Sequence, residues 1–176
     1  MGTRSSSAPE LLDAAVGGDR ATLARLLSMV ERGGDGARAV ARAAFPRSGA
    51  AHTIGITGAP GSGKSSLTSA LCRVVRASGD RLAVLAIDPS SPFSGGAILG
   101  DRVRMADHTL DEGVFIRSMA TRGHLGGLSV ATPEAVRVLD AVGFPWVVIE
   151  TVGVGQVEVE VAGAADTVVV VVNPGW

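Results

Sequence analysis

His52-Thr-Ile-Gly-Ile-Thr57-Gly58-Ala59-Pro60-Gly61-Ser62-Gly63-Lys64-Ser65-Ser66 is an apolar run that breaks into glycines and resumes with helical spacing. Gly58 to Ser65 is a complete G-x-x-x-x-G-K-[ST] phosphate-binding loop pattern. Its surroundings are the ones the pattern needs. A short strand, His52 to Thr57, precedes it, and Ser65 to Ala77 follows with Leu67, Leu71, Val74 and Val75 on one side, which predicts a helix buried on that face. In a strand, loop, helix unit the glycines let backbone N–H groups turn inward on an anion, and the helix N-terminus adds a partial positive charge. Gly58, Ala59, Pro60, Gly61, Ser62, Gly63, Lys64, Ser65 and Ser66 are the candidate phosphate-binding residues, and the Ser65 hydroxyl is a candidate Mg²⁺ ligand. A glycine-rich turn before an ordinary helix is the alternative.

Lys64 is the only lysine among 16 basic residues. Composition therefore favours arginine wherever a surface charge suffices, and the isolated lysine marks a position where arginine fails. An ammonium is a compact point charge that fits inside a tight backbone cradle, whereas a planar guanidinium is bulkier and needs a forked partner.

At 176 residues and 46% hydrophobic content the chain is long enough for one substantial core plus an appendage. A formal charge of −1 and a pI near 6.3 give no electrostatic case for nucleic acid. Cys72 is the single cysteine, which excludes an intrachain disulfide and a zinc knuckle; it reads as a small buried hydrophobe. Met1 to Pro9 lacks the apolar core of a signal peptide, and the all-valine run, Val168 to Val172, is far shorter than the ~20 residues of a membrane span. That run reads as a buried strand, and the protein as cytoplasmic with no membrane partner.

Two unequal parts follow. Residues 1–50 form a helical extension and linker: Glu10 to Phe45 has helical spacing broken at Gly17-Gly18 and Gly33-Gly34, predicting two or three short helices, and Pro46 to Ala51 reads as linker. From residue 51 to 176 apolar strands alternate with helices: Leu82 to Ile87, Val114 to Ile116, Trp146 to Ile149 and Thr167 to Val172. Such runs, apolar on both faces, belong to a parallel sheet covered on two sides. Thr132-Pro133-Glu134 reads as a helix start with Thr132 as its cap. The fold class is α/β.

Two strands end in an acid, Asp88 after Ile87 and Glu150 after Ile149. Ligands in open parallel sheets sit beyond the carboxyl ends of the strands, so both acids are expected to face the phosphates. Phosphate would repel them unless a cation lay between, and Mg²⁺ resolves the conflict. Helix caps or solvated strand ends are the alternatives. Pro89 to Met105 is rich in glycine and serine and reads as a switch segment, in which Asp101 either reaches the metal shell and orients water or is simply solvated; Arg102 and Arg104 are candidates for phosphate or a partner. Glu150-Thr-Val-Gly153-Val154-Gly155-Gln156 is a second candidate switch. Gly153 can bring its N–H to a γ-phosphate, and Gln156 is the nearest amide able to position water, or else a surface helix residue. Val154, next to Gly153, cannot polarise water, so intrinsic hydrolysis should be slow. The candidate catalytic residues are Lys64, Asp101 and Gln156. His124 reads as a structural loop residue, and His52 and His108 have no supporting constellation.

The succession Gly58 to Ser65, Ala86 to Ser91, Gly95 to Arg102, Thr121 to Gly127 and Glu150 to Gln156 resembles the MeaB/ArgK family of P-loop GTPases, over roughly His52 to Trp176. The resemblance implies a P-loop NTPase three-layer sandwich with a mostly parallel sheet, incomplete at the C-terminus. It also implies Mg²⁺ as cofactor, GTP and GDP as ligands, and Asp88, Asp101 and Glu150 at Mg²⁺-shell positions. Such proteins are G-protein chaperones of adenosylcobalamin-dependent methylmalonyl-CoA mutase that gate cofactor loading and protect the mutase, hydrolysing GTP as a timer. Family members carry an Asn-Lys-x-Asp motif that reads guanine and a C-terminal dimerisation arm. With Lys64 the only lysine, that motif is missing here, and the chain reads as truncated and as a homodimer when full length. An ATP-using kinase or ATPase of the same fold, and a non-catalytic nucleotide-binding module, are the other function classes.

Overall fold

The computed structural model describes residues 6–88, 108, 111–120, 131–151, 161 and 163–174. Two compact units are found, Met1–Ala50 with Ala131–Gly143, and Ala51–Val130 with Phe144–Trp176.

The first unit is helical. Helix α1, Ala8–Val16, opens on a capping box: the Ser7 hydroxyl accepts from Glu10 N, and the Glu10 carboxylate accepts from Ser7 N at 2.7 Å. Helix α2, Arg20–Arg32, is capped by Asp19, which accepts from Thr22 N at 3.0 Å. Helix α3, Gly34–Ala44, leads into a 3-10 turn, Phe45–Arg47. Leu11, Leu12, Leu23, Leu26, Leu27, Val30 and Val40 are buried. Alpha-helix α5, Ala131–Ala141, joins this unit and packs on α2 and α3, a return that a linear division at residue 50 does not contain. Its Asp140 accepts from Gly49 N and Ala50 N, fastening part of the expected linker. Helix α5 begins at Ala131, so Thr132 is a buried residue of the first turn and not the cap. Proline is tolerated throughout a first turn, where its missing N–H has no partner to lose, so Pro133 does not fix the start.

The second unit is an all-parallel sheet in the order β3-β2-β4-β1-β5: β1 His52–Gly58, β2 Leu82–Asp88, β3 Val114–Ala120, β4 Trp146–Thr151 and β5 Thr167–Val171. Helix α4, Lys64–Ala77, packs on one face, over Ile54, Ile56, Val84 and Val148. This is the α/β architecture of a P-loop NTPase. The chain leaves β1 toward β2 and leaves β4 toward β5, in opposite directions, so a crevice opens at the carboxyl ends of the neighbouring strands β1 and β4.

Two expectations change. Helix α4 turns Thr68, Ser69, Cys72 and Val75 inward, while Leu67 is 39% and Val74 68% exposed. Small side chains let the helix lie close on the sheet, and this outweighs the apolar count on the neighbouring stripe. Strand β5 is not buried: among the described residues it pairs only with β1, at the sheet edge, and Val170 is 60% exposed. An apolar pattern says that a strand suits a covered position, not that the described residues supply the cover. Cys72 is buried as expected, and burial pushes its thiol up to about 11.

The turn entering β3 is held by Asp111, whose carboxylate accepts from Arg76 Nε at 3.0 and 2.9 Å and from Gly113 N at 2.8 Å. The Arg76 hydrogen bond, with that of Gly113, holds the Asp111 carboxyl below its ordinary value. The stabilisation is complete above the unfolded value of about 3.9 and is lost as pH falls through the depressed folded value. Asp111→Asn should cost about 1 kcal/mol or less at pH 7, as for a partly exposed pair. Its thermal midpoint should approach that of the parent as pH drops from about 5 toward 2. A midpoint difference that stays constant over this range would remove the carboxylate charge from the account.

Candidate functional site

Thr57 and Gly58 end β1, and the loop then runs Ala59 to Gly63 into α4. Gly58 has φ +137°, and a Cβ there would lie 2.1 Å from the carbonyl oxygen of Val171 on β5. Glycine is required because the neighbouring backbone already fills the space. Gly63, at the N-terminus of α4, has φ +99°, and there the need is conformational: nothing lies within 4 Å of an added Cβ.

Lys64 is 6% exposed, and its ammonium donates to the carbonyls of Gly58 and Ala59, both at 2.8 Å. A buried cation needs acceptors, and the loop's own carbonyls serve here. Glu150, at the end of β4, is 8% exposed and lies opposite Ile56 of β1 and Ala86 of β2. Its Oε1 accepts from Ser65 Oγ at 2.6 Å and its Oε2 from Thr68 Oγ1 at 2.7 Å. Beneath the loop, the buried Thr151 hydroxyl donates to Thr57 Oγ1 at 3.2 Å, joining the strand ends that carry Glu150 and Gly58.

These groups border a cavity of about 720 Å³ lined by Pro60, Gly61, Gly63, Lys64, Ser65, Ser66, Ser69, Arg73, Ala86, Ile87, Glu150 and Thr151. Of the expected phosphate-binding residues, Gly58, Ala59 and Ser62 do not line it. Gly58 and Ala59 turn their carbonyls to Lys64 instead. Ser62 Oγ is buried without a hydrogen-bond partner. Of the expected metal shell, Ser65 and Glu150 are brought together. Asp88 ends β2, beside β4; its side chain lies outside the described residues, as do Asp101, Gly153, Gln156 and His124. His108 is buried, with Nε2 3.1 Å from both Ser69 Oγ and Ser69 O, and Arg73 donates to the same hydroxyl at 3.2 Å. His52 Nε2 is 2.9 Å from Thr167 Oγ1, and its ring meets Trp146 edge-on. The sequence reading missed Thr68, Ser69, Arg73 and Thr151; a stripe of small polar residues at helical spacing, Ser65, Thr68, Ser69 and Cys72, was the available signal.

Ser65 and Glu150 suit a small hard cation. Ser65 donates its hydroxyl hydrogen bond to the carboxylate, so the hydroxyl's lone pairs remain for a metal at the cavity wall. Among the described residues no group of three or more His, Cys, Asp or Glu could hold a metal by itself. Mg²⁺ fits such a site because it takes few protein oxygens and completes its shell with water and substrate phosphate.

Residues 23–176 match the family model described as methylmalonyl Co-A mutase-associated GTPase MeaB. The chain belongs to this family. It is 54% identical over 166 residues to a Pyrococcus abyssi protein that is a GTPase by name, covering 94% of this chain and 51% of that protein. It is 40% identical over 171 residues to the fused isobutyryl-CoA mutase of Cupriavidus metallidurans, covering 95% of this chain and 16% of the fusion. A crystal structure of a protein named LAO/AO transport system kinase superposes with a TM-score of 0.71 at 30% identity, over 97% of this chain and 51% of that one. The chain spans about half the length of the curated relatives it matches.

Lys64→Ala should abolish Mg²⁺-nucleotide binding measured by titration calorimetry, and Lys64→Arg should be nearly as damaging, since a guanidinium cannot replace a point charge held between two loop carbonyls. Parental affinity in Lys64→Arg would refute the cradle argument. Ser62→Ala removes an unpartnered buried hydroxyl and should leave the thermal midpoint unchanged or raised; a loss above about 1 kcal/mol would mean that the hydroxyl has a partner.

Proposed function

We propose that this chain binds GTP with Mg²⁺ and, as part of a full-length homodimer, hydrolyses it as a cytoplasmic switch that chaperones an adenosylcobalamin-dependent acyl-CoA mutase. The observation that carries the nucleotide reading is the Ser65 to Glu150 contact of 2.6 Å at the wall of a cavity bordered by the phosphate loop. The family description and a relative in which the homologous stretch is fused to a mutase support the partner. No described helix is long and apolar enough to cross a membrane.

In this reading, loop N–H groups bind the β-phosphate and the Lys64 ammonium exchanges its two carbonyl acceptors for β- and γ-phosphate oxygens. Ser65 would ligate Mg²⁺, while Glu150, with Asp88 and Asp101, orients its waters. Held by Ser65, the ion would supply neutralisation of the phosphate charge. Gly153 and Gln156 are proposed for the γ-phosphate and the attacking water.

Calorimetric titration of GTP, GDP and ATP into this chain, with Mg²⁺ and again in EDTA, tests the reading. Triphosphate binding strengthened by Mg²⁺ is expected. Glu150→Gln should raise the Mg²⁺ concentration for half-maximal binding by roughly 10 to 100-fold. An unchanged Mg²⁺ requirement would take Glu150 out of the site, and no binding of any nucleotide would sink the reading.

A further inference from the structure

Thr68 lies one turn beyond Ser65 on the same face of α4, outside the loop pattern, and is fully buried. Its hydroxyl has one proton and two acceptors in reach: Lys64 O at 3.0 Å, the usual i−4 acceptor for a helical threonine, and Glu150 Oε2 at 2.7 Å. The carboxylate is closer and charged, and so is the stronger acceptor. Each oxygen of Glu150 is thus held by one hydroxyl, Ser65 on Oε1 and Thr68 on Oε2, both presented by a rigid helix.

We infer that Thr68 is a positioning residue that fixes the plane of the Glu150 carboxylate and thereby sets the strength with which Ser65 and Glu150 receive Mg²⁺. The inference rests on the Mg²⁺-nucleotide reading above. With Oε2 tethered, Oε1 stays directed at Ser65, the serine proton stays on the carboxylate side, and the serine lone pairs stay on the cavity side. Without the tether, Oε2 is an unpartnered oxygen on a residue only 8% exposed, and the carboxylate turns to find another donor. The Ser65 hydroxyl is then free to rotate its proton toward the metal position.

A purely structural threonine would leave the Mg²⁺ response alone, so the test reads that response. The parent, Thr68→Val, Thr68→Ser, Glu150→Gln and the Thr68→Val/Glu150→Gln double variant are each titrated with Mg²⁺ at fixed GTP, and with GTP in EDTA. Thr68→Val should raise the half-maximal Mg²⁺ concentration about tenfold, within the range for residues behind a metal ligand, with binding in EDTA unchanged. Thr68→Ser should restore the parental value, and the double variant should match Glu150→Gln, because both act through one carboxylate. If Thr68→Val does not fold, Thr68→Cys, with a weak S–H donor of similar size, should give a smaller rise. A parental Mg²⁺ response in folded Thr68→Val, or in Thr68→Cys used in its place, failure of serine to restore it, or additive effects in the double variant would each overturn the inference. Absence of any Mg²⁺ response in the parent would overturn the underlying reading as well, whereas a parental response unmoved by Thr68 substitution overturns the positioning role alone.

Discussion

Glu150 is a carboxylate at the end of a central strand with almost no access to water, and the second unit is arranged so that it never lacks a donor. An unpartnered carboxylate in that position would neutralise or force the strand end to move. Two hydroxyls from α4 prevent this, and in doing so they fix how the first turns of α4 lie against β4. The loop is therefore anchored at both ends: through α4 by the Glu150 contacts, and through Gly58 by the close approach of Val171. Strand order supplies the rest, because β1 and β4 are neighbours whose onward connections diverge and leave the crevice open.

The same contacts account for the side of α4 that is buried. Leu67 and Val74 promise more apolar area than Thr68 or Ser69, yet the helix turns the smaller residues inward. Hydrophobic spacing identified the helix and its length, because one inner residue in each turn is enough to give a 3.6-residue period. It could not identify the buried face. Two stripes share the period, and the choice between them depends on a carboxylate 82 residues away in sequence from Thr68. The central strands β2 and β4 were legible for the opposite reason: each is apolar on both faces along most of its length, so no choice of face arises. The exception, β5, was legible as a strand and not as an edge, since pairing order is absent from a local pattern.

The loop pattern likewise made Lys64, Ser65 and the glycines readable, because those positions are limited by local geometry. Thr151 and His108 were not readable: a threonine inside a strand and a lone histidine have many ordinary uses, and only the fold puts Thr151 against Thr57 or His108 against Ser69. Within Gly58 to Ser66 the residues divide by physical task. Gly58 leaves room for another strand's backbone, Gly63 turns the chain into the helix, and Pro60, Gly61, Ser65 and Ser66 face the cavity.

Lys64 connects the loop's resting geometry to what it can accept. Its ammonium cannot remain buried without acceptors, and the carbonyls of Gly58 and Ala59 are the ones within reach. While they hold it, two loop carbonyls point inward and the charge is satisfied without ligand. A phosphate would thus be binding against an existing pair of charge-assisted hydrogen bonds, and the net gain would be the attraction between two opposite full charges over that between a charge and two carbonyl dipoles. A neutral ligand would exchange carbonyl for carbonyl and gain little at Lys64, so a lysine held in this way would favour an anion over a neutral ligand.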